Sequence, residues 1–201
     1  MRAFEAIRHR YPGPEPPVTV HGMAIDVART ARGAFAGAVA AGVWALSQPL
    51  DRRVFGVPYD DTELLGKAVT RRAGWPVVGV VLHVANGAVF GAGYAQISDR
   101  GPLPPWARGP ALALAEHLAS WPLTLVTDRF HPAREELPRL AGSPAAFAQA
   151  AWRHLLFGVL LGEFERRLNG EPERPGFVHH VSTNGHGDLA QAVGTMGRGG
   201  P

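Results

Sequence analysis

Five ionisable side chains fall inside otherwise apolar stretches of this 201-residue chain: His83, Glu116, His117, Arg153 and His154. A carboxylate or guanidinium in such surroundings is costly unless it is paired, by about 2.5–3.5 kcal/mol at the centre of a membrane helix. Glu, Arg and His held together can relay protons or bind an ion. Two or three histidines could instead ligate haem or another metal. No His-x-x-x-His or Glu-x-x-His spacing supports that, so no cofactor is expected and haem or a metal ion is the weaker alternative. The plain reading is a polar clasp that fixes helix register. No nucleophile motif and no phosphate-cradling glycine loop after a strand is present, which leans away from an enzyme.

Four segments carry these residues. They are "GAFAGAVAAGVWALSQPL" (33–50), "AGWPVVGVVLHVANGAVFGAGYAQIS" (73–98), "GPALALAEHLASWPLTLVT" (109–127) and "LAGSPAAFAQAAWRHLLFGVLLG" (140–162). Each is near the length of about 20 residues that crosses a bilayer. A soluble amphipathic helix shows charge on its outer face at every turn; the second segment has no formal charge. Charges collect between segments, and Trp44, Trp75, Trp106, Trp121 and Tyr94 lie mostly near segment ends, as interfacial aromatics do. The expected fold is all-α: a four-span transmembrane bundle with a short interfacial loop helix and a flexible C-terminal tail. Residues 1–28 form a partly disordered N-terminal segment. Residues 29–167 form the membrane domain, with spans near 30–50, 74–97, 109–128 and 143–164. Residues 168–201 form a polar Gly/Pro-rich tail. The near-zero mean hydropathy reflects the long polar loops and tails.

Helical periodicity assigns the faces. Gly33, Gly37, Ala40, Trp44, Gln48 and Asp51 share one stripe, and Gly79, His83, Asn86, Gly87, Phe90 and Tyr94 another. Glu116, Ser120, Thr124 and Thr127 align, with His117 at the margin; Gln149, Arg153 and Phe157 align, with His154 off to one side. Gly33 and Gly37, Gly87 and Gly91, and Gly158 and Gly162 are small-residue spacings suited to helix packing. Counted along the spans, His83, Glu116 and Arg153 lie at depths within roughly 6 Å of one another. A midplane cluster of His83, Asn86, Glu116, His117, Arg153 and His154 is therefore expected, with Arg153 as the partner of Glu116.

The loop 51–75 offers a second grouping, the carboxylates Asp51, Asp60 and Asp61. Asp60 or Asp61 can N-cap a short helix, whose Leu64, Leu65, Ala68 and Val69 would rest on the membrane surface; capping is favoured over a carboxylate site. The tail's His179, His180, His186 and Asp188 read as solvated residues.

With four spans both termini share a side, and the Lys/Arg distribution slightly favours the cytoplasm for it. Residues 1–25 lack the apolar core of a signal peptide, so a multi-pass protein of the bacterial inner membrane is expected. The formal charge is +3, and no basic patch suggests nucleic acid. The expected partners are the lipid bilayer and either a second copy or another membrane protein. Cysteine is absent, which excludes disulfides and thiolate sites.

"FGVPYDDTELLG" (55–66) and "GWPVVGVVLHVANGAVFGAGYA" (74–95) together resemble a group of small four-helix bacterial and archaeal membrane proteins of unknown function. The matching residues are Gly56, Pro58, Leu65, Gly66, His83, Gly87, Phe90, Gly91 and Tyr94. The resemblance covers about a quarter of the chain, implies an integral membrane bundle and supplies no activity. Three readings stay open: a scaffold, assembly or regulatory membrane subunit; a small proton-linked transporter or ion-conducting module; and a haem- or metal-binding redox subunit.

Overall fold

The computed structural model describes residues 25–100 and 102–170, and the ordered elements within them are all helical. The expectations for the extreme N-terminus and for the histidine-bearing tail lie outside these residues.

Helix α1 (Val27–Phe55) starts where the Asp26 carboxylate accepts the Arg29 N–H, and it stops at Gly56, which takes the left-handed conformation (φ 68°). Helix α2 (Asp61–Val69) is capped by Asp60, whose Oδ1 accepts the N–H groups of Thr62 and Glu63. Helix α3 (Trp75–Ile97) opens with Pro76 in its first turn, where a missing N–H costs nothing. Helix α4 (Pro105–Ser120) runs into a 3₁₀ turn, Trp121–Leu123, and then helix α5 (Thr124–Phe130). Pro122 has no N–H to offer the Leu118 carbonyl, so the α-helical ladder breaks there. Helix α6 (Pro144–Asn169) is capped by Ser143, which accepts the Ala146 N–H.

Packing is set by backbone approach. A Cβ on Gly37 would strike the Gly87 carbonyl oxygen, and one on Gly91 would strike that of Gly33, so α1 and α3 touch through bare backbone. Gly109 meets Gly158 in the same way and joins α4 to α6. Gly66 and Gly79 let α2 lie on α3. α1 also packs on α6, so the long helices form the spatial row α3–α1–α6–α4. Its outer members, α3 and α4, do not pack extensively on each other. The core consists of Ala36, Ala40, Ala41 and Ala113 with Trp44, Tyr94, Phe157 and Leu161.

The large aliphatic side chains point outward. Phe35, Leu46, Leu50, Val77, Val89 and Leu125 are each more than 60% exposed. The helices α1 and α3 are long and apolar enough to cross a membrane. Among the described residues two such helices, rather than the four expected, meet that description. The third segment is cut to 16 residues by the turn at Trp121, and α6 carries Arg153 and a charged final stretch, Glu163–Arg167. The helices also outrun the expected spans: α1 continues to Phe55, which takes Asp51 out of the loop and into the helix.

Candidate functional site

Two polar centres lie side by side where one expected cluster was placed. The first is a clasp around Arg153, whose side chain is completely buried. Its Nε donates to Asp51 Oδ2 at 2.6 Å, its Nη2 to Asp51 Oδ1 at 2.6 Å, its Nη1 to Asp61 Oδ2 at 2.7 Å, and its Nη2 also to the Tyr59 carbonyl at 2.9 Å. Asp51 accepts a further bond from Gln149 Nε2 at 2.8 Å. Asp61 accepts from Trp44 Nε1 at 3.1 Å and from the Tyr59 hydroxyl, while Gln48 Oε1 accepts the Asp61 N–H at 2.8 Å. The planar guanidinium fork thus ties α1, α2 and α6 together, with both Asp51 oxygens engaged in the bidentate geometry that makes such pairs strong.

The expected Glu116–Arg153 pair is therefore corrected. Arg153 projects toward the C-terminal end of α1 and the 56–60 loop, and its partners Tyr59 and Asp61 stand on the wall of the cavity described below. Its counter-ions come from the carboxylates assigned to the loop. Of those, Asp51 is a buried residue of α1, Asp61 faces Arg153, and Asp60 caps α2 and pairs with Arg52 at 3.3 Å. The Tyr59 hydroxyl is held well above its ordinary value of 10, by burial first and then by the Asp61 charge and hydrogen bond.

The second centre is a cavity of about 370 Å³ flanked by α3 and α4, floored by α1 and α6, and closed at one end by α2 and the 3₁₀ turn. His83, Asn86, Glu116, His117 and His154 all line it, and so do Ser120, Thr124 and Thr127. Glu116 Oε2 meets His154 Nε2 at 2.8 Å, while His154 Nδ1 is 2.8 Å from the Ala150 carbonyl. A carbonyl can only accept, so Nδ1 carries a proton. The Nε2–carboxylate contact then needs one more proton, on the imidazole or on Glu116. Either way the pair is neutral overall.

His117 does more than sit at a margin. It is 1% exposed, with ring centroids 4.8 Å from both His154 and Phe147 and 5.4 Å from Trp121. Trp44 stands edge-on between His83 at 5.0 Å and His154 at 4.8 Å. The Nε2 atoms of His83 and His117 are buried and have no hydrogen-bond partner. Such groups are rare in folded proteins and call for an explanation. Leu64 and Leu65 of α2, expected on the membrane surface, form part of the cavity wall instead.

Among the described residues no group of three or more His, Asp or Glu side chains could hold a metal ion. Sequence reasoning missed Trp44, Tyr59, Gln48 and Gln149 as members of the polar centres. Gln48 and Gln149 were the available signal, as uncharged polar residues on the inward stripes. The known protein families, the curated proteins and the solved structures yield no match to this chain.

Proposed function

We propose that the chain is a four-span helical membrane protein that binds a small molecule in the cavity between α3 and α4 and serves as a binding or regulatory subunit. The observation that carries this reading is the cavity: it is sizeable, largely walled by apolar and aromatic groups, and supplied with two buried imidazole nitrogens that lack partners. Membrane residence is supported by the inside-out distribution of side chains, small residues within and branched aliphatics without. Only 39% of the apolar window in α1 and 28% of that in α3 is buried, whereas the core helix of a soluble protein is mostly covered. Exposed Leu118, Leu125, Val126 and Phe130 extend the apolar surface along α4 and α5, and Trp152 and Val159 extend it along α6. At 1.5 Å per residue the run α4–α5 and helix α6 each reach about 39 Å, enough for a hydrocarbon layer of about 30 Å.

In the scaffold reading, a second copy would dock on a surface other than the paired glycines. The small-residue faces are consumed by packing within one chain. A proton-linked module is favoured by one observation, the single proton shared by Glu116 and His154 next to His117. Two experiments separate these readings. Membranes washed in alkaline carbonate should retain the chain, and release into the supernatant overturns the membrane assignment. Purified protein in vesicles with an entrapped pH dye should show no proton flux for wild type beyond empty vesicles. A flux abolished by Glu116→Gln would replace the binding reading with the proton-linked one. Saturable thermal stabilisation by a ligand, lost when Ser120→Trp fills the cavity, supports binding.

A further inference from the structure

We infer that the occupant of the cavity is an organic cation: a protonated amine on an apolar or aromatic body, with its ammonium head at Asp61 and Glu116 and its body against the aromatic wall. This rests on the binding reading above and names its ligand class.

The charge balance calls for a cation. Arg153 is one guanidinium between two carboxylates, Asp51 and Asp61. The groups that meet those carboxylates are donors: the guanidinium, the Gln149 amide, the Trp44 indole and the Tyr59 hydroxyl. Both are therefore ionised, and the clasp holds one negative charge in excess. Arg52 is matched by Asp60, and Lys67 by Glu63 and Glu136, so neither cancels it. Arg53 is exposed, where water and salt screen it. The excess has an outlet toward the cavity. The Asp51 side chain is 3% exposed and is not on the wall, whereas that of Asp61 is 15% exposed and lines it.

The rest of the wall agrees with that charge. Glu116 adds a second carboxylate, neutralised within its pair with His154 but 42% exposed, and its Oε1 takes no part in that contact. Thr124 and Thr127 give their hydroxyl hydrogens to the carbonyls of Trp121 and Leu123, which leaves their oxygens as acceptors for any further partner. An ammonium N–H needs such acceptors. Among the described residues no Lys or Arg lines the cavity, whereas Trp44, Tyr59, Phe90, Trp121 and Phe157 do. The faces of such rings attract cations. Tyr59 already carries the Arg153 guanidinium 5.0 Å from its ring centre. A carboxylate or phosphate ligand would meet like charge and ring faces, and would be repelled. A bare metal ion does not suit the wall either, since no group of three or more His, Asp or Glu side chains among the described residues could hold one. An apolar body and one positive head match both halves of the lining.

The test is isothermal titration calorimetry of the full chain in phosphatidylcholine nanodiscs, with empty nanodiscs as the blank. The probes, matched in size and used at neutral pH, are phenethylammonium, phenethyl alcohol and phenylpropanoate. The ammonium should bind about tenfold more tightly than the alcohol, and the carboxylate more weakly than either. Glu116→Gln leaves every partner of Arg153 in place; it should weaken the ammonium about fivefold and leave the alcohol unchanged. Asp61→Asn should do the same in protein whose circular dichroism matches wild type. Equal affinity for ammonium and alcohol, as a protonated imidazole standing in for the ligand would give, overturns the ligand class and leaves a binding cavity in place. An ammonium affinity unchanged in Glu116→Gln overturns the placement of the head. Binding of none of the probes beyond the blank overturns both the cation and the binding reading.

Discussion

Replacing Asp51 by Ala removes a carboxylate that receives three short hydrogen bonds and leaves the fully buried Arg153 guanidinium with Asp61 as its remaining counter-ion and the Tyr59 carbonyl as a neutral acceptor. Breaking a buried ion pair from one side costs about 3–5 kcal/mol, because the surviving charge stays desolvated. For a chain of this size that is a fall in unfolding midpoint of about 6–20 °C. Removing both charged partners with Asp51→Ala and Arg153→Met eliminates the stranded cation. Asp61 then keeps Trp44 and Tyr59 as donors. The double variant should be more stable than the two single losses added together, by up to about 3 kcal/mol. Asp99→Ala is the control. It breaks only the more exposed pair with Arg29 and should cost at most about 1 kcal/mol. Thermal unfolding in detergent micelles followed by circular dichroism measures wild type, the two single clasp variants, their double and the control. Strict additivity of the two clasp variants, or a loss of less than about 1 kcal/mol for Asp51→Ala, would refute the assignment of Arg153 to Asp51.

Gly37→Ala should destabilise by about 1–3 kcal/mol, since its Cβ collides with the Gly87 backbone, whereas Gly42→Ala meets nothing and should be neutral or gain up to about 1 kcal/mol, both read from thermal midpoints. Tyr59 should make the fold sensitive to alkali: its folded value is raised, so its contribution is complete below about pH 10 and is lost as the pH climbs through the raised value. Tyr59→Phe should flatten that part of a stability–pH profile. Glu136 is held below its ordinary 4.5 by Lys67 first and then by Arg71, so the tie between α2 and the 131–137 loop is present above that value and weakens as the pH falls through the lowered one. Amide exchange of α2 should quicken there, and also in high salt, where exposed pairs are screened.

The inward stripes of α1 and α3 were legible because helical period alone decides which residues share a face. α1 buries Gly33, Gly37, Ala40, Trp44, Gln48 and Asp51, and α3 buries Gly79, His83, Gly87 and Tyr94. The cavity lining by Glu116, Ser120, Thr124 and Thr127 followed from the same rule, even across the 3₁₀ turn. Partner choice was not legible, because it depends on axial register between helices. "DRR" at 51–53 reads as the polar end of a span, yet the helix runs to Gly56, and the extra turn brings Asp51 level with Arg153. The Gly109–Gly158 contact sets α4 against α6 so that Glu116 falls beside His154. Depths counted from segment ends carry errors of a turn, which is enough to exchange one partner for another. The break at Trp121 had a visible cause in Pro122, but a proline can also be absorbed within a longer helix, as Pro110 is in α4.

The clasp spans 102 residues of sequence between Asp51 and Arg153. On a ribosome α1 is finished long before α6 is made. During that interval Asp51 and Asp61 have neither their cation nor the Gln149 amide. A truncated or stalled chain therefore displays two unmatched carboxylates beside its most apolar helices, and a complete one hides them. Among the described helices, the last to emerge is the one that neutralises the end of the first. A chain cut before Arg153 should lack the α1–α2–α6 tie, read as a lower thermal midpoint and faster amide exchange at the end of α1.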